Sequence, residues 1–289
     1  MKWTAGDRSN VEDARGSGGI GGRAVPIGLG GFILLALLSW ATGTNFLSLL
    51  SGPTTDQTSS TGPSAPVSSS PGEEREVDFV DAVMKDVQST WTAILPGTYQ
   101  PTRVVLFRDA IDSACGMAQS ATGPFYCPQD SRVYLDLGFF QELSERFGAP
   151  GDFARAYVIA HEVGHHVQRL TGIERQMRAA QQRDPSEANP LSVRLELQAD
   201  CFAGVWGHAA SKPGRAASGQ VELETGDVEE GLRAAAAIGD DRLQRMSTGR
   251  VMPDRFTHGS SEQRVEWFRR GLSSGRPEAC DTFGNGSIP

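Results

Sequence analysis

The chain has a deficit of basic residues. It contains 27 lysines and arginines against 35 aspartates and glutamates, so its formal net charge at pH 7 is -8 over 289 residues. No stretch of the sequence concentrates lysine and arginine enough to offset that balance. A protein that binds nucleic acid needs a positive surface to meet the phosphates. The charge balance therefore excludes nucleic acid as a partner.

Charge is missing altogether from residues 24–50. A span of this length and apolarity predicts a transmembrane anchor. Lysines and arginines precede it and none follows before Arg75, so the positive-inside rule places the N-terminus in the cytoplasm and the rest of the chain outside. The alternative is a cleaved signal peptide, because Ser39 to Ala41 resembles a small-x-small site. The long polar lead-in favours an uncleaved, single-pass anchor in the cell membrane, and either alternative exports the remainder.

The segments that flank the predicted anchor lack the pattern of a folded core. Residues 1–23 are polar and glycine-rich, which predicts a disordered cytoplasmic N-terminus. Residues 51–72 are rich in Ser, Thr, Pro and Gly and contain no aromatic residue, which is typical of a flexible linker. One folded domain is then expected at residues 73–289.

Cysteine is scarce, and none of the four residues Cys115, Cys127, Cys201 and Cys280 forms a Cys-x-x-Cys pair. Zinc sites built on thiolates use that close spacing, so its absence argues against a cysteine-ligated metal. Four cysteines in an exported chain usually form disulfides, and three connectivities are possible. We favour Cys115–Cys127 with Cys201–Cys280, because the first closes a local hairpin and the second holds the C-terminus in place.

The domain carries the patterns of a mainly helical α+β fold with a small sheet. Helical spacing of apolar residues predicts a first helix over 73–95, and two short stretches predict strands, the second of which alternates apolar and polar residues. The further predicted helices cover 139–147, 153–170, 191–208, a segment after Thr225, 240–246 and 257–270, and the predicted strands cover 103–107 and 131–137.

The most informative motif is His-Glu-x-x-His, which begins at His161 inside the predicted helix over 153–170. Residues four apart stack on one face of a helix, so His161 and His165 can offer two imidazole nitrogens to one ion. Two neutral imidazoles suit Zn²⁺, and Glu162 can take a proton from water at an open coordination position. The alternative is an ordinary amphipathic helix with solvated polar residues.

A second predicted helix carries two acidic residues four apart, Glu196 and Asp200. A glutamate from another helix would complete a two-histidine, one-glutamate zinc site. An aspartate one turn later could hold the far nitrogen of a ligand histidine and fix its tautomer. The alternative is an exposed acidic helix face, but Asp200 lies in an apolar stretch where an unpaired charge would be costly.

These motifs resemble those of known metallopeptidases. The His-Glu-x-x-His motif followed by Glu-Leu-Gln-Ala-Asp at 196–200 is similar to the Glu-zincins. A closer resemblance is to the bacterial putative neutral zinc metallopeptidase family. It is carried by the full motif His-Glu-Val-Gly-His-His-Val-Gln, with Cys-Gly and Gly-Pro-Phe-Tyr-Cys-Pro upstream. The resemblance covers about Glu73 to Cys280.

The resemblance implies a zincin-like domain in which His161, His165 and Glu196 bind zinc and Glu162 is the catalytic base. Metallopeptidases commonly bind substrate as an added strand on a sheet edge. By analogy, the strand over 132–137 could be that edge, and an ordinary interior strand is the alternative.

A later segment, Thr257 to Arg264, resembles the Thr-His-Pro…Arg segment of membrane Glu-zincins, with Gly259 in place of the proline. The likeness implies that His258 and Arg264 are candidates for stabilising the oxyanion formed during hydrolysis. The alternatives are helix capping for the first part of the segment and a salt bridge for Arg264.

We therefore predict a membrane-anchored zinc metallopeptidase that hydrolyses peptide bonds in peptide or protein substrates. Its proposed chemistry uses a zinc-activated water with Glu162 as general base. Two alternatives remain, a non-catalytic binding or assembly protein of the cell envelope with a structural metal site, and an amidase that acts on cell-wall peptides. The glutamate argues against the first, since a structural site has no use for a base.

Overall fold

The computed structural model of this protein describes residues 1–16, 69–120 and 123–284. The anchor predicted at 24–50 and most of the linker predicted at 51–72 lie outside these residues, so both stay predictions. Within the described residues, no helix combines the length and the apolarity needed to cross a membrane.

Eight α-helices make up most of the described part of the chain, and the prediction of a mainly helical α+β domain is confirmed. The helices are α1 (Pro71–Ile94), α2 (Gly138–Glu145), α3 (Asp152–Leu170), α4 (Ile173–Arg183), α5 (Ala188–Ala210), α6 (Asp227–Ala237), α7 (Asp240–Thr248) and α8 (Ser261–Ser274). Short 3-10 helices occur at Pro185–Glu187, Arg215–Ser218, Pro253–Arg255 and Pro277–Cys280.

The strands form one four-stranded sheet and one separate ribbon. They are β1 (Val11–Asp13), β2 (Arg103–Phe107), β3 (Ala110–Ser113), β4 (Gly116–Gln119), β5 (Phe125–Cys127) and β6 (Arg132–Asp136). The sheet has the order β1-β2-β6-β5, with β5 antiparallel to β6 and the other pairs parallel, and β3 pairs with β4 in the ribbon. Because β6 lies between β2 and β5, its suggested role as the substrate edge is wrong. The short strand β5 forms that edge of the sheet instead.

Helices α3, α5 and α8 lie against one another in the core, and glycines allow their close approach. A Cβ on Gly164 of α3 would lie 3.1 Å from backbone atoms of Ala199 on α5. A Cβ on Gly271 of α8 would lie only 1.9 Å from the carbonyl oxygen of Cys201 on α5. The absence of side chains at these two points fixes the distance between the helices that carry the candidate site.

Residues 1–16 fold onto the domain, so the predicted disorder over 1–23 is wrong for this part. We call these residues the N-terminal strap. Its strand β1 pairs with β2, and the carboxylate of Asp81 on α1 accepts two backbone N–H groups of the strap at 3.1 and 3.2 Å. Trp3 packs edge-on against Phe79 with ring centroids 5.5 Å apart. The sequence pattern conceals this strap because its segment is polar and its partners lie far along the chain.

The pairing of β1 with β2 bears on the predicted membrane topology. A single crossing by residues 24–50 would leave the N-terminal strap and the helical domain on opposite faces of the bilayer. Hydrogen-bonded strands cannot pair across a bilayer, so the strap and the domain lie on the same side. The predicted arrangement, with the N-terminus inside and the domain outside, stays a prediction, and it can hold only where β1 is not paired with β2.

Both predicted disulfides are confirmed. Cys115, between β3 and β4, is bonded to Cys127 on β5, and Cys201 on α5 is bonded to Cys280 in the last 3-10 helix. The second bond spans a sequence separation of 79 residues. In the chain-entropy view, closing a loop of that size contributes about 4.5 kcal/mol to the free energy of unfolding.

Candidate metal centre

His161 and His165 lie one turn apart on α3, and Glu196 faces both of them from α5. The Nε2 atom of His161 lies 3.1 Å from Oε2 of Glu196, and the Nε2 atom of His165 lies 3.4 Å from Oε1. Each of the three side chains offers one ligand atom, and these atoms all lie within 4.8 Å of one another. The structure therefore brings the three predicted ligands to a single point.

This donor set fits zinc. Two imidazoles and one carboxylate occupy three corners of a tetrahedron and leave the fourth for another ligand. Burial alone would raise the pKa of the Glu196 carboxyl, but the neighbouring imidazoles lower that pKa well below its usual range. Burial would likewise lower the pKa of His161, but Asp200 and Glu196 raise it to about 10. The site thus favours positive charge, which a divalent ion supplies when it replaces the protons on the imidazoles.

The far nitrogen of His161 is held by Asp200, as predicted for this aspartate. Its Nδ1 atom lies 2.8 Å from Oδ1 of Asp200, a fully buried carboxylate. Tyr157 also donates its hydroxyl to this carboxylate, although no sequence pattern singled it out. A carboxylate that accepts from Nδ1 leaves the lone pair of Nε2 free for the metal.

Arg264 lies behind His161 and is only 3% exposed. Its Nε and Nη2 atoms each donate to Asp200 at 2.9 Å, and its Nη1 atom donates to the carbonyl of Ile238 at 3.2 Å. Burial would raise the pKa of Asp200, but the guanidinium lowers it below its ordinary value. The placement matches the salt bridge that was the alternative for Arg264, and it suits a residue that positions Asp200 and, through it, His161.

The far nitrogen of His165 faces a residue that the sequence did not mark as functional. Its Nδ1 atom lies 2.9 Å from Oε1 of Gln168, which is one turn further along α3 and fully buried. The signal that could have found it is local, because residues three apart on a helix are neighbours.

Glu162 lines the same cleft as the metal ligands and is 7% exposed. Among the described residues, no hydrogen bond or ion pair engages its carboxylate. The other two carboxylates at the centre are already paired, since Glu196 faces the imidazoles and Asp200 is bound to Arg264. Glu162 is therefore the carboxylate that is left to exchange a proton.

His258 lines this cleft from the loop before α8. Its Nδ1 atom lies 3.2 Å from Oδ1 of Asp240, while Oδ2 of Asp240 accepts the backbone N–H groups of Thr257, His258 and Gly259. The hydrogen bond to Asp240 raises the pKa of His258 above its ordinary value, with Glu196 adding to the effect, while partial desolvation in the cleft and the guanidinium of Arg264 oppose it. The structure thus brings a histidine that favours its cationic form into the metal cleft. Asp240 was not found from the sequence.

The edge strand β5 is tied to α3 beside the ligands. The Nε2 atom of His166 lies 2.7 Å from the carbonyl oxygen of Gln100, which can only accept, so Nε2 donates. The Nδ1 atom is then an acceptor for the hydroxyl of Tyr126 on β5, at 2.9 Å. His166 is therefore a link between helix and sheet and does not point at the metal site.

The cleft has a volume of about 670 Å³. Phe125 and Tyr126 of β5 lie along it. Apolar side chains from α2 and the segment after it, from α3, from the junction of α6 with α7 and from α7 contribute much of its lining. These apolar residues are Phe139, Phe147, Val158, Ile238 and Leu243. A cleft of this kind can take an extended chain with bulky apolar side chains.

Comparison with known proteins extends the resemblance to the whole chain. A family model described as a putative neutral zinc metallopeptidase matches residues 1–283, which includes the N-terminal strap. The uncharacterized protein YpfJ of Escherichia coli strain K12 is 48% identical over 296 aligned residues, 98% of this chain and 99% of that protein. The uncharacterized proteins Rv2575 of Mycobacterium tuberculosis and Mb2605 of Mycobacterium bovis are 46% identical over 208 residues, 71% of this chain and 69% of theirs. No solved structure matches the chain.

The family model covers the centre formed by His161, His165 and Glu196 and leaves only the last residues of the chain unmatched. The relative from Escherichia coli aligns along almost its entire length. On this evidence, the chain belongs to the putative neutral zinc metallopeptidase family.

Proposed function

We propose that this protein is a zinc-dependent peptidase in which Glu162 is the general base. The observation that carries the proposal is a buried glutamate with no partner among the described residues, next to three ligands that leave a coordination position open. A metal site that only stabilises a fold closes its fourth position with a protein group and has no use for a base.

Zinc at this centre would act as a Lewis acid that polarises a carbonyl oxygen and lowers the pKa of water. The carboxylate of Glu162 accepts a proton from the attacking water as the oxygen bonds to the peptide carbonyl carbon. It then returns this proton to the amine nitrogen as the carbon–nitrogen bond breaks. Asp200 holds His161 in place throughout, and Arg264 holds Asp200.

In this proposal His258 stabilises the negative charge that develops on the carbonyl oxygen. Its raised pKa favours the imidazolium form, which is the form that can neutralise an oxyanion. Arg264 was the second candidate for this task. Because its guanidinium is bound to Asp200, we assign it a positioning role.

The proposed substrate is an extended peptide or protein segment that adds to the outer edge of β5, which pairs with no strand other than β6 among the described residues. Backbone groups of an edge strand can bind a peptide of any sequence, and neighbouring pockets select its side chains. The apolar lining of the cleft favours substrates with a bulky apolar side chain next to the cleaved bond.

We also propose that the domain works outside the cytoplasm. Two disulfides in one domain are typical of an oxidising compartment. The attachment to the cell membrane through residues 24–50 stays a prediction from composition, and the strap requires the N-terminus to share the compartment of the domain.

The experiment is digestion of a peptide library by the zinc-loaded full chain and by its Glu162→Gln variant. The amide cannot accept the proton, so we expect the variant to lose at least a factor of about 100 in kcat/KM. It should keep stoichiometric zinc, because Glu162 is not a ligand. Mass spectrometry of the products checks both the rate and the side-chain preference.

Glu145→Gln is the matched control, since Glu145 is exposed on α2 and its carboxylate accepts from Gln141, one turn away on the same helix. It should cleave at the wild-type rate. Equal cleavage by wild type and Glu162→Gln would refute the proposed base. Cleavage of purified peptidoglycan but not of the peptide library would assign the centre to cell-wall cross-links instead.

A further inference from the structure

We infer that Gln168 and Gln198 form a directed hydrogen-bond chain that sets the tautomer of His165 and thereby aims its Nε2 atom at the metal. Both glutamines are fully buried. The inference concerns metal binding, so it depends on the zinc centre and not on the proposed peptidase reaction.

The first group that fixes the direction of this hydrogen-bond chain is the backbone carbonyl of Leu195 on α5. Its oxygen lies 2.7 Å from the side-chain nitrogen Nε2 of Gln168. A carbonyl oxygen can only accept a hydrogen bond, so the amide of Gln168 must present its nitrogen there. The other end of the same amide, Oε1, is then the atom that faces Nδ1 of His165 at 2.9 Å.

The second fixed point is the backbone carbonyl of Cys280. It accepts from Nε2 of Gln198 at 3.0 Å, which fixes the orientation of that amide in the same way. Oε1 of Gln198 is therefore an acceptor, and it receives the second N–H of the Gln168 amide at 3.1 Å. Both donors of Gln168 are used, and its orientation is determined twice.

The orientation of the Gln168 amide determines which ring nitrogen of His165 carries the proton. Because Oε1 of Gln168 can only accept, Nδ1 of His165 must carry the proton. In the neutral ring the lone pair then lies on Nε2, the atom that lies 3.4 Å from Glu196 in the metal centre. The opposite tautomer would turn an N–H toward the metal and leave the buried amide oxygen without a donor, which is costly.

The two ligand histidines are thus oriented by different chemistry. His161 donates to the anionic carboxylate of Asp200, whereas His165 donates to a neutral amide. The outer end of the amide chain is held by the bond between Cys201 and Cys280. This disulfide therefore anchors a hydrogen-bond chain that ends at a metal ligand, in addition to closing a loop.

The test is the zinc dissociation constant of the full chain, measured by competition with a chromophoric chelator. Gln168→Leu keeps the approximate size of the side chain and removes the acceptor for Nδ1. Loss of such a partner typically weakens metal binding by a factor of about 10 to 100, and we expect a loss in that range. In ¹⁵N spectra of the histidine rings, the variant should also lose the fixed Nδ1–H form of His165, which a purely structural role would not affect.

Gln198→Leu tests the outer link separately. Leu195 still orients Gln168 in this variant, so the expected loss of zinc affinity is smaller than for Gln168→Leu. Gln88→Leu is the matched control, because Gln88 is a buried glutamine that bonds to Asn10 and Thr102, neither of which belongs to the centre. Its zinc dissociation constant should equal that of the wild type.

An unchanged zinc dissociation constant in Gln168→Leu overturns the inference, and so does a loss of equal size in the Gln88→Leu control. If Gln168→Leu does not fold, Gln198→Leu provides the test, and unchanged zinc affinity in that variant overturns the inference. A loss of zinc affinity would support it even if the Glu162→Gln experiment found no peptidase activity, so the two proposals can fail independently.

Discussion

His258 reaches the metal cleft from a loop that wraps around Asp240. One oxygen of this carboxylate accepts three consecutive backbone N–H groups, and the other faces the imidazole. The loop conformation and the charge of the imidazole therefore depend on the same residue. Without Asp240, the imidazole would lose the contact that does most to raise its pKa.

We expect Asp240→Asn to lower the pKa of His258 toward its ordinary value of 6.5. If the imidazolium stabilises the oxyanion, the alkaline limb of the kcat/KM profile should shift to lower pH in this variant. The ring C–H signals of His258 in an NMR titration measure the pKa directly. Asp254→Asn, at an exposed aspartate of the neighbouring loop, should leave the titration and the pH profile unchanged.

The contact between His258 and Asp240 should also make the stability of the folded protein depend on pH. Because the folded state raises the pKa of His258, its contribution to stability is fully present below pH 6.5 and is lost as the pH rises through the folded-state pKa. The folded state also lowers the pKa of Asp240, so the contribution of this pair is lost again as the pH falls through that pKa. Asp240→Asn should therefore reduce stability most between the ordinary pKa of an aspartate, 3.8, and that of a histidine, 6.5, as far as this pair is concerned. A His258 titration that is the same in Asp240→Asn and wild type would contradict the assignment of Asp240.

Helix α5 carries residues of the candidate site and packs closely against two other helices. It bears Glu196 and Asp200, meets α3 at Gly164, and meets α8 at Gly271. The contact with α8 also brings Arg264 to Asp200. The position of the carboxylate ligand is thus set by backbone-to-backbone packing on two sides of one helix.

We expect Gly271→Ala to destabilise the domain by about 1 to 3 kcal/mol or more, since its Cβ would lie 1.9 Å from the carbonyl oxygen of Cys201. Any shift of α5 away from α8 would also move Glu196 relative to the imidazoles, so zinc binding should weaken. Thermal unfolding and chelator competition measure the two effects.

Gly72→Ala provides the matched control for that substitution. Its Cβ would lie no closer than 3.7 Å to a neighbouring side-chain atom, Oγ of Ser70, near the start of α1. Alanine is the better helix former, so this variant should be as stable as the wild type or slightly more stable. A Gly271→Ala protein with wild-type thermal stability would show that the helices can separate without cost.

For the whole molecule, the N-terminal strap decides how the chain can be placed at a membrane. The strap pairs with β2 and its arginines bind carboxylates of α1, as in the contact between Arg8 and Asp78 at 2.6 Å. These contacts require residues 1–16 and the helical domain to share one compartment. Whatever residues 24–50 do, they cannot place the two on opposite faces of a bilayer while β1 stays paired.

We expect single cysteines introduced as Ala5→Cys in the strap and as Ser273→Cys on α8 to react alike with a membrane-impermeant thiol reagent. Both positions are exposed. In intact cells both should be labelled, or neither, and both should be labelled after lysis. Labelling of Ser273→Cys alone in intact cells would restore the predicted single crossing and contradict the pairing of β1 with β2.

The sequence by itself determined the features that depend on local spacing. The four-residue step from His161 to His165 fixes both imidazoles on one face of a helix whatever surrounds it. The apolar periodicity was enough to predict most of the helices, and the distribution of four cysteines led to both disulfides. The four-residue spacing of Glu196 and Asp200 on a second predicted helix made Glu196 the candidate third ligand, and the family resemblance supported it.

Only the tertiary structure decided what depends on contacts between distant segments. The strap was predicted to be disordered because residues 1–23 are polar and glycine-rich, and the three residues Val11–Asp13 show no strand pattern until β2 offers its backbone. Strand β6 lies inside the sheet because a strand as short as β5 covers its edge. A glutamine such as Gln168 is common on the surface of a helix, so its residue type predicts no role. It can orient His165 only because the carbonyl of Leu195 and the amide of Gln198 bond to it in the core. Hydrogen-bond direction is a property of pairs of groups, so no single stretch of sequence could reveal it.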